Sequence, residues 1–266
     1  MSAKYSLESD LQLALDLAAI ADQITMARYL AQDLIVTTKP DNTPVTDADQ
    51  ATEEALRKYL ATARPSDGLV GEEFGEKESA AERYWVMDPI DGTKNFMRGV
   101  PTWATLIGLI ERQSDGSEKV IVGVVSAPAL MRRWFASAGN GSFTTLNGGA
   151  PRKILVSQVS EISNSSIAYS DFQGWNERLV KFQTLISQCV RSRGYGDFWS
   201  HMLVAEGAVD IAAEPALALW DMAALDVIVR EAGGTFSNLT SENGPFGGSG
   251  ISTNTLLHPK VMAALN

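Results

Sequence analysis

The stretch WVMDPIDGTKNF, residues 85–96, runs from an apolar segment straight into turn chemistry. Trp85, Val86 and Met87 read as a short buried strand, and Asp-Pro followed by Asp-Gly-Thr ends it. Asp88 and Asp91 therefore stand at a strand end, where two unpaired carboxylates would cost several kcal/mol or be forced neutral. A cation would satisfy them. Oxygen-bearing side chains recur beside turns in three further places: VTDAD (45–49), GEE (71–73) and WD (220–221). Singly, each has a plain structural reading. Thr46 or Asp47 caps the helix that follows, Asp221 caps its own helix, Glu72 and Glu73 are solvated loop acids, and a lone DxxDG is a turn. Together, the four segments fall where predicted strands and helices end. The only histidines, His201 and His258, are far apart and adjoin no cysteine, which argues against zinc-type ligation. An all-oxygen set of carboxylates, a backbone carbonyl and water suits Mg2+ or Mn2+.

Around this centre the 266 residues carry 45% apolar side chains, enough for a sizeable core. Lys and Arg number 22 against 32 Asp and Glu, a net charge of −10. Such a field repels polyanions, so nucleic acid and anionic membranes are not expected as partners. The N-terminal stretch MSAKYSLESDLQLALDLAAIADQ threads acids through its apolar stripe, which fits neither a signal peptide nor a membrane span and makes the cytoplasm the expected location. Cys189 is the only cysteine; no internal disulfide is possible, and its setting fits the apolar face of a helix. Leu7, Leu11, Ala14, Leu15, Ala18 and Ala21 predict a helix over about 7–31, and Ala51, Ala55, Leu56, Tyr59 and Leu60 a second. Between 84 and 170 the pattern turns to short strand-like runs. Helical spacing returns at 175–190, at 198–207 and in WDMAALDVIVREAGG (220–234), which its glycine pair closes. This mixed order predicts layered α and β rather than a strict βαβ repeat. A composition shift near 145–150 divides one catalytic unit into an N-terminal α+β part, 1–150, with most metal ligands, and a C-terminal α/β part, 151–266, with Asp221 and the specificity residues. The polar loop 37–46 is placed to act as a lid.

GEE, DPIDGTKNF and WDMAALDVIVREAGG, in this order, resemble the hallmark segments of the inositol monophosphatase family of metal-dependent, lithium-sensitive phosphatases, and VTDAD matches a further element of it. The likeness implies the α+β fold of inositol monophosphatase and fructose-1,6-bisphosphatase, a layered αβαβα sandwich, commonly homodimeric, acting on a small phosphate monoester. Carried over by position, Glu72, Asp88 and the Ile90 carbonyl hold a first Mg2+, Asp88, Asp91 and Asp221 a second, and Glu72 a third. Gly92 and Thr93 donate backbone N–H groups to the phosphate. Asp49 and Thr93 position and deprotonate the attacking water, and Glu72 completes the catalytic set. Asp47 and Glu73 fall outside it, as cap and surface residue.

For the leaving alcohol, Glu214 matches the family position that contacts a substrate hydroxyl, whereas Asp197 stands where inositol phosphatases carry a small residue. Two carboxylates exceed what a neutral polyol needs and suit an ammonium. RGYGDFWSHMLVAEGAVDIAAEP (193–215) resembles the actinobacterial-type histidinol-phosphate phosphatases of the family, which implies L-histidinol phosphate as substrate. The plain alternative for Asp197 is a helix N-cap. Trp103, Tyr195 and Trp199 are aromatic candidates for the pocket wall. An inositol-1-phosphate phosphatase is the second reading, a 3′-phosphoadenosine 5′-phosphate phosphatase a more distant one, and a non-catalytic regulator of the same fold comes from another class. A metal-buffering domain has no use for the water-activating pair.

Overall fold

The computed structural model describes residues 5–40, 42–77, 81–194 and 196–266. Its first part runs α1 (Leu7–Arg28), β1 (Val36–Thr38), β2 (Pro44–Thr46), α2 (Asp47–Ala63), β3 (Gly68–Gly71), β4 (Gly75–Lys77), β5 (Arg83–Asp91) and α3 (Thr93–Met97). A run of strands follows: β6 (Ala104–Arg112), β7 (Glu118–Ala127), β8 (Arg132–Ser137), β9 (Ser142–Leu146), β10 (Arg152–Ile154) and β11 (Ser166–Ala168). The remainder is α4 (Leu179–Gln188), β12 (Arg191–Arg193), α5 (Asp197–Ala205), β13 (Ile211–Glu214), α6 (Leu219–Glu231), β14 (Gly234–Ser237), β15 (Gly250–Asn254) and α7 (His258–Leu265). Among the described residues no helix is long and apolar enough to cross a membrane.

Eight strands form one sheet, in the order β10-β9-β8-β7-β6-β5-β3-β4. Side chains of β5 alternate across it with the period of two that a strand imposes. Trp85 and Met87 meet Leu13, Leu17 and Leu56 of α1 and α2 on one face. Tyr84 and Val86 join the core formed with α5 and α6 on the other. A second sheet, β12-β11-β13-β15-β14, closes over α5 and α6, and α4 and α7 cover its outer face through Phe182, Leu185, Val261 and Leu265. The result is the expected αβαβα layering. Burial of each large apolar side chain stabilises the fold by about 1.5–3 kcal/mol, so truncating Leu17 or Leu56, both fully buried, would cost about 2–5 kcal/mol.

The height of α6 over the first sheet is set by missing side chains. A Cβ on Gly108 would lie 2.9 Å from the Ala223 Cβ, and one on Gly123 would lie 2.7 Å from the Ala224 carbonyl oxygen. Glycine in β6 and β7, facing alanine in α6, lets helix and sheet approach this closely. Asp221, near the start of α6, is thereby brought down to the end of β5.

Several boundaries differ from the sequence reading. The first helix stops at Arg28, because the Tyr29 N–H closes the last turn on Thr25 and Leu30 adopts a left-handed φ of 64°. Thr46, not Asp47, caps the second helix; Asp47 is its first residue and pairs with Arg28 at 2.8 Å. The polar segment 37–46 contains most of the β1–β2 hairpin. Cys189 sits just past α4, half-buried, with its thiol donating to the Leu185 carbonyl. Sheet membership changes only after Ile154, since β10 still pairs with β9, and α6 packs on β6 and β7, so both halves share one core.

Candidate active site

Asp88 and Asp91 are three residues apart, and in a regular strand their side chains would point to opposite faces. The pairing of β5 with β6 prevents this. Asp88 stands opposite Leu106 and Asp91 opposite Ala104, so three steps along β5 match two along β6. The surplus residue is a bulge at Pro89-Ile90, which turns both carboxylates to one side. Proline, which has no N–H to donate, is tolerated there because the bulged position is left out of the ladder. Its carbonyl accepts from Thr105 Oγ1 at 2.7 Å, and Asp88 Oδ1 accepts from the Ile90 N–H at 2.9 Å. The strand therefore extends through Asp91, past the Asp88 end expected from sequence.

Asp221 completes the cluster. It is the third residue of α6, and its Oδ2 accepts from the N–H of Ala218, the N-cap, at 2.7 Å. One oxygen from each of Asp88, Asp91 and Asp221 lies within 4.8 Å of the others. Burial, then the neighbouring charges of Glu72, Asp91 and Asp221, hold Asp88 well above the ordinary carboxylate range. Burial, then Asp197 and Asp221, do the same to Asp91. Burial pushes Asp221 up to about 7 against the stabilising Ala218 N–H. Two buried acids and a half-buried third this close demand positive charge between them, and their all-oxygen donor set fits a hard divalent cation.

Glu72 follows β3, with its N–H directed at the Met87 carbonyl at 3.3 Å. The turn it occupies is held from below by Glu53, which is fully buried. Glu53 accepts from the N–H groups of Glu73 and Phe74 at 2.7 and 3.2 Å and pairs with Arg57. Lys39, from the β1–β2 hairpin, places its ammonium 2.7 Å from both the Glu72 and the Glu73 carboxylates. Burial opposes its charge, but these two partners hold its pKa above the usual value. Glu73 is thus not the surface acid expected: its side chain is 4% exposed, and burial pushes it up to about 7 despite Lys39.

Asp49 and Thr93 meet beside this cluster. Asp49 Oδ2 accepts from the N–H and hydroxyl of Thr46 at 2.8 and 2.5 Å, which is the reciprocal half of the α2 capping box. Its other oxygen is 3.4 Å from Thr93 Oγ1, which also lies 3.0 Å from the Ile90 carbonyl. Burial raises Asp49 to about 6, opposed by the Thr46 bonds. Gly92, at φ 83°, makes the left-handed turn into α3.

A cavity of about 680 Å³ opens over these groups. Its far wall comes from other segments. Asp197, the first residue of α5, turns its carboxylate inward: Oδ2 accepts from Asn95 Nδ2 at 3.1 Å and would lie 3.4 Å from a Cβ at Gly92. Its backbone N–H donates to Ser170 Oγ at 3.0 Å. Burial raises its pKa, opposed by Lys94. The next N–H, of Phe198, donates to Asp91 Oδ2 at 2.8 Å and joins the two walls. Ser170, at the end of the β11 segment, also donates its N–H and hydroxyl to Glu214 Oε1 at 2.7 and 2.8 Å, and burial pushes Glu214 up to about 8.

A sequence model of the inositol monophosphatase family matches residues 6–266. The chain belongs to the inositol monophosphatase family. Within it, the histidinol-phosphatase of Mycobacterium tuberculosis is 52% identical over 259 residues, 97% of this chain and 98% of that protein. The histidinol-phosphatase of Streptomyces coelicolor is also 52% identical, over 97% of each chain. Among solved structures, the extragenic suppressor protein suhB of Bartonella henselae superposes with a TM-score of 0.85 at 28% identity, covering 97% of this chain and 98% of that one.

In this family member, the cavity brings together Glu72, Asp88, Ile90, Asp91, Gly92, Thr93, Asp197 and Asp221. Asp49 stands behind Thr93. Glu214 is not on the wall either, because Ser170 and Gly196 stand in front of it. Asp197 is not a helix cap: the N-cap is Gly196, and the Asp197 carboxylate serves the cavity. Trp103 is fully buried against Ile90 and Phe96 and is core. Trp199 lines a separate cavity with Arg191 and Arg193, and Tyr195 lies outside the described residues. Sequence reasoning missed Lys39, Glu53, Lys94, Asn95, Ser170 and Asp171. Ser170 and Asp171 follow an apolar strand just as Asp88 does, so the rule that found the metal ligands, applied to SSIAYSD, would have found them.

Proposed function

We propose that the chain is a metal-dependent phosphomonoesterase that hydrolyses L-histidinol phosphate to L-histidinol and inorganic phosphate, a step of histidine biosynthesis. The observation that carries the substrate is the Asp197 carboxylate, held beside the Gly92 turn. In L-histidinol phosphate the ammonium and the ester oxygen sit on neighbouring carbons, so a group reading the ammonium has to stand next to the phosphate site. A carboxylate there meets an ammonium with full opposite charge, whereas a neutral polyol would offer it only a hydroxyl hydrogen bond. The full-length likeness to two histidinol-phosphatases supports the same reading.

Glu72, Asp88, Asp91, Asp221 and the Ile90 carbonyl would hold Mg2+, two or three ions per site, with Mn2+ able to replace it. When bound, these ions acidify water and neutralise charge on the phosphate and the leaving oxygen. The chain's own groups do the rest. Gly92 and Thr93 offer backbone N–H groups to the phosphate oxygens. Thr93 Oγ1 takes a hydrogen bond from the attacking water and relays the proton to Asp49 Oδ1, a carboxylate whose pKa of about 6 leaves it able to accept at neutral pH. Asp197 orients the alcohol portion through its ammonium. The family resemblance adds a cytoplasmic homodimer inhibited by lithium. A regulator that had abandoned catalysis would have no need of Glu72 and the Thr93 hydroxyl beside the aspartate cluster.

The decisive measurement is phosphate release with Mg2+ from L-histidinol phosphate and from myo-inositol 1-phosphate, both below saturation. We expect at least a hundredfold preference for the former, about 2.7 kcal/mol of transition-state binding. The reverse preference would make this an inositol phosphatase, and no turnover of either would leave only the fold.

A further inference from the structure

Three features surround Asp197, and none is explained by cavity lining alone. Its backbone sits at φ 47°, in the left-handed region that costs an aspartate of order 1 kcal/mol or more. Nothing on its own helix compensates, because Gly196 caps α5 without a side-chain bond. The compensation comes across the fold, from Ser170 Oγ, which accepts the Asp197 N–H at 3.0 Å.

That hydroxyl has one proton, and it is donated in a hydrogen bond to Glu214. Glu214 Oε1 is bonded by both the hydroxyl and the N–H of Ser170, so the serine oxygen must present a lone pair toward Asp197. Gly196 seals the arrangement. A Cβ there would lie 2.4 Å from both Ser170 N and Ser170 Oγ and 2.5 Å from Glu214 Oε1. The 170 segment, the end of β13 and the start of α5 therefore meet with no room for a side chain on residue 196. Asp197 is then aimed from two sides, by Ser170 on its backbone and by Asn95 on its carboxylate.

We propose that Ser170 and Glu214 form one positioning unit, a hydrogen-bond relay that fixes the left-handed backbone of Asp197 and so points its carboxylate at the ammonium of the substrate. Glu214 acts through Ser170, not as a second charge reader. This rests on the reading that Asp197 meets an ammonium, and it assigns specificity to a serine that itself recognises no charge.

The test uses the full-length enzyme with Mg2+ and two esters, L-histidinol phosphate and myo-inositol 1-phosphate. Ser170→Ala and Glu214→Ala should each raise KM for histidinol phosphate about tenfold, with kcat on either ester changed far less, because each removes one link of the relay. The double variant should be no worse than either single one, as members of a single unit are not additive. Ser170→Thr keeps the hydroxyl and should recover most of the loss. Glu214→Gln keeps an acceptor oxygen without charge and should cost about two- to threefold. The proposal is overturned if Glu214→Gln is as damaging as Glu214→Ala while Ser170→Ala is near wild type, which would make Glu214 a direct charge reader. Multiplying losses in the double variant, or equal losses on both esters, would also overturn it, the last by reducing the pair to general scaffolding. The unmodified enzyme tests the underlying reading separately: if it shows no preference for the ammonium-bearing ester, that reading fails and this inference with it.

Discussion

At the metal end of the cavity most carboxylates are aimed by a bond made a few residues away: Asp88 takes the Ile90 N–H, Asp49 the Thr46 N–H, and Asp221 the Ala218 N–H. At the alcohol end Asp197 is aimed by Asn95, 102 residues away in the chain, and by Ser170, 27 residues away. The first kind of site is fixed as soon as its strand bulge or helix start forms. The second exists only when three separate segments have packed. A locally built end can stay the same while the other is retuned to a new alcohol, because their supports share few residues. Asp91 is the exception, since its oxygen takes the Phe198 N–H from α5 and ties the two ends together.

The largest effect should come from the shared, substrate-blind chemistry. Asp91→Asn keeps an acceptor for Phe198 but removes a charge the cation needs, and should lower kcat on both esters about a thousandfold. A loss confined to one ester would break the division between the ends. The next effect concerns the scaffold under the alcohol end. His201 of α5 is fully buried with Nδ1 2.7 Å from Ser252 Oγ, and burial lowers its pKa to about 3. A group depressed in the folded state contributes stability present above its unfolded value, about 6.5, and loses it as pH falls toward the folded value. Between pH 7 and 5 this amounts to about 2 kcal/mol. The unfolding free energy from urea titrations should fall between pH 7 and 5 by this much more in wild type than in His201→Gln, and an equal fall in both would remove His201 from the account. The smallest effect sharpens the comparison most. Asp197→Asn should raise KM about tenfold for histidinol phosphate and leave myo-inositol 1-phosphate as good or better, read from initial rates on both. Equal changes would return Asp197 to a purely structural role.

The same contrast explains what was legible in the sequence. The DPIDGT stretch, the Thr46 cap and the start of α6 follow from neighbouring residues, so ligands and caps could be read together. The bulge itself could not, because it is a mismatch between β5 and β6 and belongs to neither strand alone. The wall aromatics failed for a similar reason: Trp103 and Trp199 have the chemistry of a pocket, but packing against Ile90 and Phe96 in one case, and a place on a different cavity beside Arg191 and Arg193 in the other, decided their place. Glu73 was misjudged because its burial depends on Lys39 reaching over from a hairpin 34 residues earlier. Ser170 and Glu214 matter only as partners of each other and of Asp197, a relation that no spacing in the chain encodes.

The local bonds at the metal end also bear on how such a chain would decay. Asp49, Asp88, Asp91 and Asp221 each accept a backbone N–H that the fold would otherwise leave unsatisfied. A lineage that gave up turnover would keep these four aspartates simply to keep folding. Glu72 is different: among the described residues its carboxylate accepts no backbone N–H, and its partners are side chains, the Lys39 ammonium and the Asp88 carboxyl of the cluster itself. Selection for structure does not protect it, so it would drift first, and its presence or loss is the mark that separates a working enzyme from a silent descendant of the same shape.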